Sequence, residues 1–367
     1  MKFSISATEG RARRGVLTTR AGEIDTPAFM PVGTQATVKG LTPAEVRGTG
    51  AQIILNNAYH LYLRPGVELI ESFGGVHKFQ GWGGSILTDS GGYQIFSLAK
   101  LHKVSEDGLA FKSHIDGSDH FMSPEKAIEV QQRLGSDIMM SFDQPIAWGA
   151  TREDTAIATE RTHRWAARGR ATWRQETGQA LFGIVQGGFD EELRRASAQT
   201  LVAMDFPGYS IGGLSVGEPK EQMWAMLDVT TPLLPVEKPR YLMGVGTPAD
   251  LVRGVLHGVD MFDCVLPTRM GRNSTAFTWA GRLNMRNAKF TADPNPLDES
   301  CPCDVCQHHS RAYLHHLLKA GEILALRCLS LHNITFYQQL MAKIREQIVA
   351  GTFETWAEEY LRESELK

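Results

Sequence analysis

The chain has 367 residues, 42% hydrophobic and 22% charged, with a formal net charge of −3. This balance is ordinary for a globular protein, and it excludes a generally basic nucleic-acid coat, so any RNA-binding surface has to be a local patch. No run reaches the ~18 apolar residues of a membrane span, and residues 1–10 lack the apolar core of a signal peptide. Five cysteines, three of them clustered, point to a reducing compartment with a metal site rather than a disulfide framework. The expectation is a soluble cytoplasmic protein with no membrane contact.

Residues 1–26 read as a small antiparallel unit, with strands at 3–6 and 15–19 and a turn at Ala21-Gly22. Beyond it, short apolar runs recur at 28–32, 52–55, 85–87, 138–142, 181–185, 209–211, 240–243 and 260–262, making eight candidate strands. Most are separated by helical stretches with recognisable starts. Ser123-Pro124 opens 125–134 before Gly135, Asp190 opens 191–204, and Thr247-Pro248 opens 249–257 before Gly258. In two of these a hydroxyl cap is followed by Pro at the first helical position, which is helix-initiation chemistry. Residues 151–176 form the longest helical stretch, as one helix or two. Alternating strands and helices imply parallel β/α units, and eight of them favour a closed barrel.

Polar or glycine residues follow most of these strands: Asn56-Asn57, Asp89-Ser90-Gly91-Gly92, Asp143-Gln144, Gln186-Gly187-Gly188, Gly212-Gly213, Gly244 and Asp263. Barrel enzymes carry their chemistry at those ends. Residues 100–121 look like a hairpin lid inserted after the third strand. From Leu251 to Lys289, six basic residues (Arg253, Arg269, Arg272, Arg282, Arg286, Lys289) face two acids, Asp260 and Asp263. Such a concentration suits phosphate contacts.

Cys301-Pro302-Cys303-Asp304-Val305-Cys306 places three thiols within six residues, a spacing suited to tetrahedral zinc. The fourth ligand is open among His308, His309, His315, His316, His332 and Cys328. Three thiolates with one further ligand would close the shell, which makes the metal structural.

Together, the segments 88–94, 187–188, 212–218 and 263–269 and the Cys-x-Cys-x2-Cys cluster resemble tRNA-guanine transglycosylase of the bacterial type. The resemblance implies an irregular (β/α)8 barrel with a zinc-binding subdomain inserted near the C-terminus, in a homodimer. It divides the chain into residues 1–26 packed on the barrel, a barrel core at 27–275, a zinc subdomain at 276–350 and a helical tail at 351–367. The implied activity exchanges the wobble guanine in the tRNA anticodon loop for a 7-deazaguanine base.

By the same resemblance Asp263 is the nucleophile and Asp89 the general acid/base. Ser90, Gly91, Gly92, Asp143, Gln186, Gly212, Gly213 and Leu214 surround the base, and Tyr93 and Met243 cover its faces. Gly244, Val245, Gly246, Thr247, Pro248, Ala249 and Asp250 would meet RNA, as would Thr268, Arg269, Met270, Gly271 and Arg272. Cys301, Cys303, Cys306 and His332 would hold one structural Zn2+. The residue types suit the chemistry, because replacing a base with retained configuration needs one carboxylate as nucleophile and a second to move protons. Other roles stand beside these: Asp89 and Asp143 as caps, Tyr93 and Met243 as core. The chain departs from the pattern at Gln144-Pro145, where Glu-Cys is usual. Val216 is a bulkier residue that favours the aminomethyl base over queuine. A non-catalytic RNA-binding relative would lack the carboxylates, and a metal-dependent hydrolase would need histidines at strand ends, absent after the first strand.

Overall fold

The computed structural model describes residues 1–98 and 102–365. Ala99, Lys100 and Leu101, within or beside the expected lid, and Leu366 and Lys367 of the tail lie outside the described residues. The chain begins with an antiparallel sheet of β1 (Lys2–Glu9), β2 (Ala12–Thr19) and β3 (Gly22–Thr26). The third strand was not expected, since Gly22–Thr26 has one apolar residue and no visible alternation. That residue, Ile24, pairs with Leu17 and both are fully buried, which is enough to fix the register.

The barrel follows. Its first strands are β4 (Ala28–Gly33), β5 (Ile53–Asn56) and β6 (Ser85–Thr88). The insertion comes next, as a three-stranded antiparallel sheet of β7 (His102–Val104), β8 (Leu109–Lys112) and β9 (Asp119–Met122) instead of a simple hairpin. The remaining barrel strands are β10 (Ile138–Met140), β11 (Ala180–Val185), β12 (Gly208–Ile211), β13 (Arg240–Leu242) and β14 (Met261–Cys264). All eight are parallel, and β14 returns to β4 through pairs from Met261↔Ala28 to Cys264↔Pro31, closing the ring. Seven of the eight are buried along their whole length, as strands between a filled interior and a helical layer must be. Only β14 opens toward solvent, at Asp263 and Cys264.

Local chemistry explains the helices. Ser123, Asp190 and Thr247 each accept from the backbone N–H three residues on, at Lys126, Leu193 and Asp250. Gly135 ends the first of these helices at φ 77°, a left-handed conformation that glycine adopts without strain. The stretch from Thr151 is a single helix, Arg152–Thr172, followed by a short 3-10 turn, so the two-helix alternative does not hold. Its polar face is pinned from outside. Arg164 and Arg168, one turn apart, grip the insertion at the Glu106 carboxylate and the Glu106 carbonyl, and Trp165 Nε1 donates to the same carbonyl at 2.7 Å.

At the opposite end of the barrel from the chemistry, two carboxylates start strands. Asp137, before β10, accepts from Ile86 N at 2.8 Å and pairs with Arg20 at 2.8 Å. Asp260, before β14, is fully buried; it accepts from Arg240 N at 2.7 Å and from Arg13 Nε at 3.0 Å. After β14 come a hairpin, β15 (Thr275–Thr278) and β16 (Gly281–Asn284), the cysteine segment, and helices Arg311–Ala320, Ile323–Ala350 and Phe353–Glu365. The helix Ile323–Ala350 runs back along the barrel. Gln338 and Arg345 donate to the β4-side carbonyls of Phe29 (3.1 Å) and Pro27 (2.8 Å).

Replacing Asp260 by Ala strands the buried Arg13 guanidinium. The expected loss is about 3–5 kcal/mol, read as a lower midpoint in urea unfolding at neutral pH; Asp25→Ala, in a more exposed pair with Arg14, serves as the small-effect control.

Candidate active site and metal centre

Three carboxylates collect at the C-terminal strand ends, and each is held by neutral donors. Asp89 follows β6 and is buried. It accepts from Ala58 N at 2.8 Å and from the Asn57 side-chain amide. Burial pushes its pKa up to about 7; the Asn57 and Ala58 donors pull it down, and the negative charge of Asp263 adds to the rise. Asp263, within β14 rather than after it, accepts at Oδ1 from Tyr241 Oη at 2.6 Å and from Gly244 N at 2.7 Å. Its pKa is raised by burial and restrained by those two donors. Among the described residues no donor reaches Oδ2, so this oxygen is available to react.

Asp143, after β10, is buried with Ser90 Oγ on Oδ1 and Gln186 Nε2 on Oδ2, both at 2.8 Å. Burial raises its pKa as well. Glycines make the approach possible. A Cβ at Gly92 would sit 2.7 Å from the Asp143 carbonyl, and one at Gly213 (φ +67°) only 2.4 Å from Gln186 Oε1. Ser90, Gly92, Asp143, Gln186, Gly212 and Gly213 therefore form one contiguous group. Gly91 packs on Tyr59, Leu214 is buried, Met243 is half-buried after β13, and Tyr93 is 55% exposed on the helix Gly92–Leu98.

The expected RNA-facing residues divide by exposure. Gly244, Thr247, Arg269 and Arg272 are exposed, while Pro248, Ala249 and Met270 are half-buried. Val245, Gly246, Asp250, Thr268 and Gly271 are buried and do supporting work. Gly246 lies against Cys264, and its carbonyl accepts from Tyr337 Oη at 2.6 Å. Asp250 pairs with Lys220 at 2.7 Å, the Thr268 hydroxyl turns to the Val265 carbonyl, and Gly271 abuts the Ser330 backbone. Arg269, Arg272, Arg282, Arg286 and Lys289 are exposed, and none pairs with a carboxylate among the described residues.

Sequence reasoning missed Tyr241 and Asn57, the side-chain donors to Asp263 and Asp89. Tyr241 sits in an apolar strand, and only the Tyr241↔Met261 register shows that its hydroxyl lies beside Asp263. Asn57 was visible as a polar residue after β5, but its partner is 32 positions away.

Cys301, Cys303, Cys306 and His332 are all buried, and their ligand atoms lie within 4.8 Å of one another. His332 Nδ1 is 3.3 Å from Cys306 Sγ and 3.7 Å from Cys303 Sγ, while Nε2 lies 2.8 Å from the Phe277 carbonyl. One ring nitrogen is thus free for a metal and the other is oriented by a carbonyl, the usual outer-shell device for a ligating histidine. His332 is on the helix Ile323–Ala350. Its neighbour Asn333 donates to the carbonyls of Pro267 (3.0 Å) and Thr275 (2.9 Å) and accepts from Phe277 N (2.9 Å). His315 is engaged with the Met285 carbonyl, and His308 and His316 are exposed. Three thiols and one imidazole with no open position fit a structural metal ion.

The sequence profile described as queuine tRNA-ribosyltransferase matches residues 8–365. The chain belongs to this family. The "Queuine tRNA-ribosyltransferase" of Pelotomaculum thermopropionicum is 58% identical over 351 residues, covering 96% of this chain and 95% of that protein. That of Caldanaerobacter subterraneus subsp. tengcongensis is 56% identical over 364 residues, with coverage of 99% and 97%. That of Zymomonas mobilis is 55% identical over 362 residues, with coverage of 98% and 94%.

His332→Ala is expected to lower bound metal well below one ion per chain by elemental analysis and to reduce the thermal midpoint. Retention of a full complement of metal in a folded His332→Ala protein would remove His332 from the ligand set.

Proposed function

We propose that this member of the queuine tRNA-ribosyltransferase family exchanges the wobble guanine of its target tRNAs for a 7-deazaguanine, the aminomethyl form, by double displacement through an ester on Asp263. The observation that carries the reading is the unequal setting of two carboxylates at one barrel mouth: Asp89 titrates at about 7, and Asp263 keeps an oxygen without a protein donor.

The first displacement forms a bond between Asp263 Oδ2 and C1′ of the ribose as the C1′–N9 bond to guanine breaks. The electron pair leaves on guanine, which takes the proton of Asp89. In the second, the incoming base loses its N9 proton to Asp89, its nitrogen attacks C1′, and the ester oxygen departs as the restored Asp263 carboxylate. Two inversions give net retention. The donors from Tyr241 and Gly244 favour the charged carboxylate and so ease its departure. Asp143 supplies an acceptor for the base's ring N–H and amino group, and Gln186 or a glycine N–H meets its carbonyl. Tyr93 and Met243 cover its two faces. Val216, half-buried three residues after Gly213, would leave less room for a cyclopentenediol tail than a smaller residue, which supports the aminomethyl base.

An anticodon loop suits the site because its bases are already unpaired and cost less to turn outward. The exposed Arg269 and Arg272, with Arg282, Arg286 and Lys289 beyond them, offer unpaired cations to its phosphates. Residues 276–350 act in this reading as a subdomain built on one Zn2+, which holds structure and takes no part in the exchange. Tyr313 (39% exposed) and His316 face outward one turn apart on Arg311–Ala320, which supports a second copy docking there in a homodimer; Leu317 turns into the core. No helix is long and apolar enough to cross a membrane, and a tRNA substrate places the enzyme in the cytoplasm.

The test is denaturing electrophoresis of enzyme, tRNA and 9-deazaguanine as trap. A shifted band is expected, and it should vanish in folded Asp263→Asn; a persistent band would remove Asp263 from the chemistry. The pH dependence has a stated sign. The first displacement needs Asp89 protonated, so kcat/KM for tRNA should fall above about pH 7. Asn57→Ala removes a donor that stabilises the Asp89 carboxylate, so the proton is held more tightly and the alkaline limb should move to higher pH.

A further inference from the structure

Arg194 is fully buried on the helix Glu191–Ala203, and among the described residues it pairs with no carboxylate. A buried guanidinium is costly unless its N–H groups are satisfied. Here they are satisfied by backbone carbonyls alone, at the last residue of β11 and in the two loops that follow β11 and β12. Nε donates to Gly188 O at 2.8 Å, one terminal nitrogen to Val185 O at 3.3 Å, and the other to Gly213 O at 3.4 Å. The loops that follow β11 and β12 are the ones that carry Gln186 and Gly213. Their glycines are shaped to this arrangement: a Cβ at Gly187 would lie 2.7 Å from Arg194 N, so only glycine lets the chain pass so close to the helix.

We propose that Arg194 is the positioning residue for base recognition, holding the Gln186 and Gly213 loops in one fixed relation from beneath. In a trans peptide the carbonyl and the following N–H point in opposite directions. Drawing Gly213 O down onto Arg194 therefore turns the Leu214 N–H away from it, and among the described residues that N–H has no acceptor. Val185 O is shared between Arg194 and Gly212 N (3.0 Å), so the same carbonyl links the two loops directly. Gln186, between the Val185 and Gly188 anchors, is then left with its amide on Asp143. Arg194 does not touch the base; it sets the spacing between an amide, a carboxylate and a backbone donor that must meet one flat ring together. Burial lowers its pKa to about 9, with Glu218 the anion opposing that shift, so the guanidinium remains charged at neutral pH.

The inference rests on Gln186 and Gly213 reading the base. The experiment measures exchange of labelled guanine into tRNA by Arg194→Met, Arg194→Lys and Gln186→Ala, each with its melting curve. For Arg194→Met the KM for the free base should rise about tenfold or more, the scale of one lost hydrogen bond to a charged group, with the KM for tRNA unchanged. Arg194→Lys, which keeps charge but not the three-way reach, should fall between. Where Arg194→Met folds poorly, Arg194→Lys and recovery of Arg194→Ala by added guanidinium at non-denaturing concentrations carry the test. An unchanged base KM in folded Arg194→Lys and Arg194→Met, or equal rises for base and tRNA, would overturn the proposal. If Gln186→Ala also leaves the base KM unchanged, the base-reading assignment fails; if it raises that KM while the Arg194 variants do not, only the role of Arg194 fails.

Discussion

Three carboxylates at one barrel mouth, with no cation in contact among the described residues, is the constraint around which the rest of this structure is arranged. Asp89, Asp143 and Asp263 are held by an asparagine, a serine, a glutamine, a tyrosine and two backbone N–H groups. An arginine beside any of them would lower its proton affinity and fix it as an anion. Neutral donors instead orient each carboxylate and leave its charge state responsive to burial and to its neighbours.

The far end of the barrel treats the same residue type in the opposite way. Asp137 and Asp260 also flank barrel strands, but each meets an arginine from the N-terminal sheet, Arg20 and Arg13. Each also accepts a backbone N–H from a neighbouring strand, at Ile86 and Arg240. The N-terminal sheet thus plugs the barrel floor and fixes the register of β10 against β6 and of β14 against β13. Asp260, just before β14, and Asp263, within it, divide the labour: one anchors the strand and the other is presented by it.

Much of this was legible in the residues themselves. Eight apolar runs, most of them followed by polar or glycine residues, announced a parallel barrel, and the structure brings Ser90, Asp143, Gln186 and Gly213 into contact. What stayed hidden shares a physical cause: its meaning lies in a partner distant in sequence. Tyr241 reads as another apolar strand residue until β14 is beside it. Arg194 reads as a solvated helical charge until the carbonyls of two loops are seen around it. Gly22–Thr26 carries too little pattern to declare a strand, and it pairs through one isoleucine.

The closure of β14 onto β4 also has a bearing on how the protein is born. The first barrel strand emerges early from the ribosome, yet its hydrogen-bonding partner on one side, Met261–Cys264, is synthesised more than two hundred residues later, and the carbonyls of Pro27 and Phe29 wait longer still for Arg345 and Gln338. Throughout that interval β4 presents an open edge, the kind of surface on which nascent chains stick to one another. The early antiparallel sheet, complete by Thr26, gives the growing chain a local structure immediately before that strand. Dependence on long-range closure therefore falls most heavily on translation, when β4 exists before β14 and the helix Ile323–Ala350 that complete its surroundings.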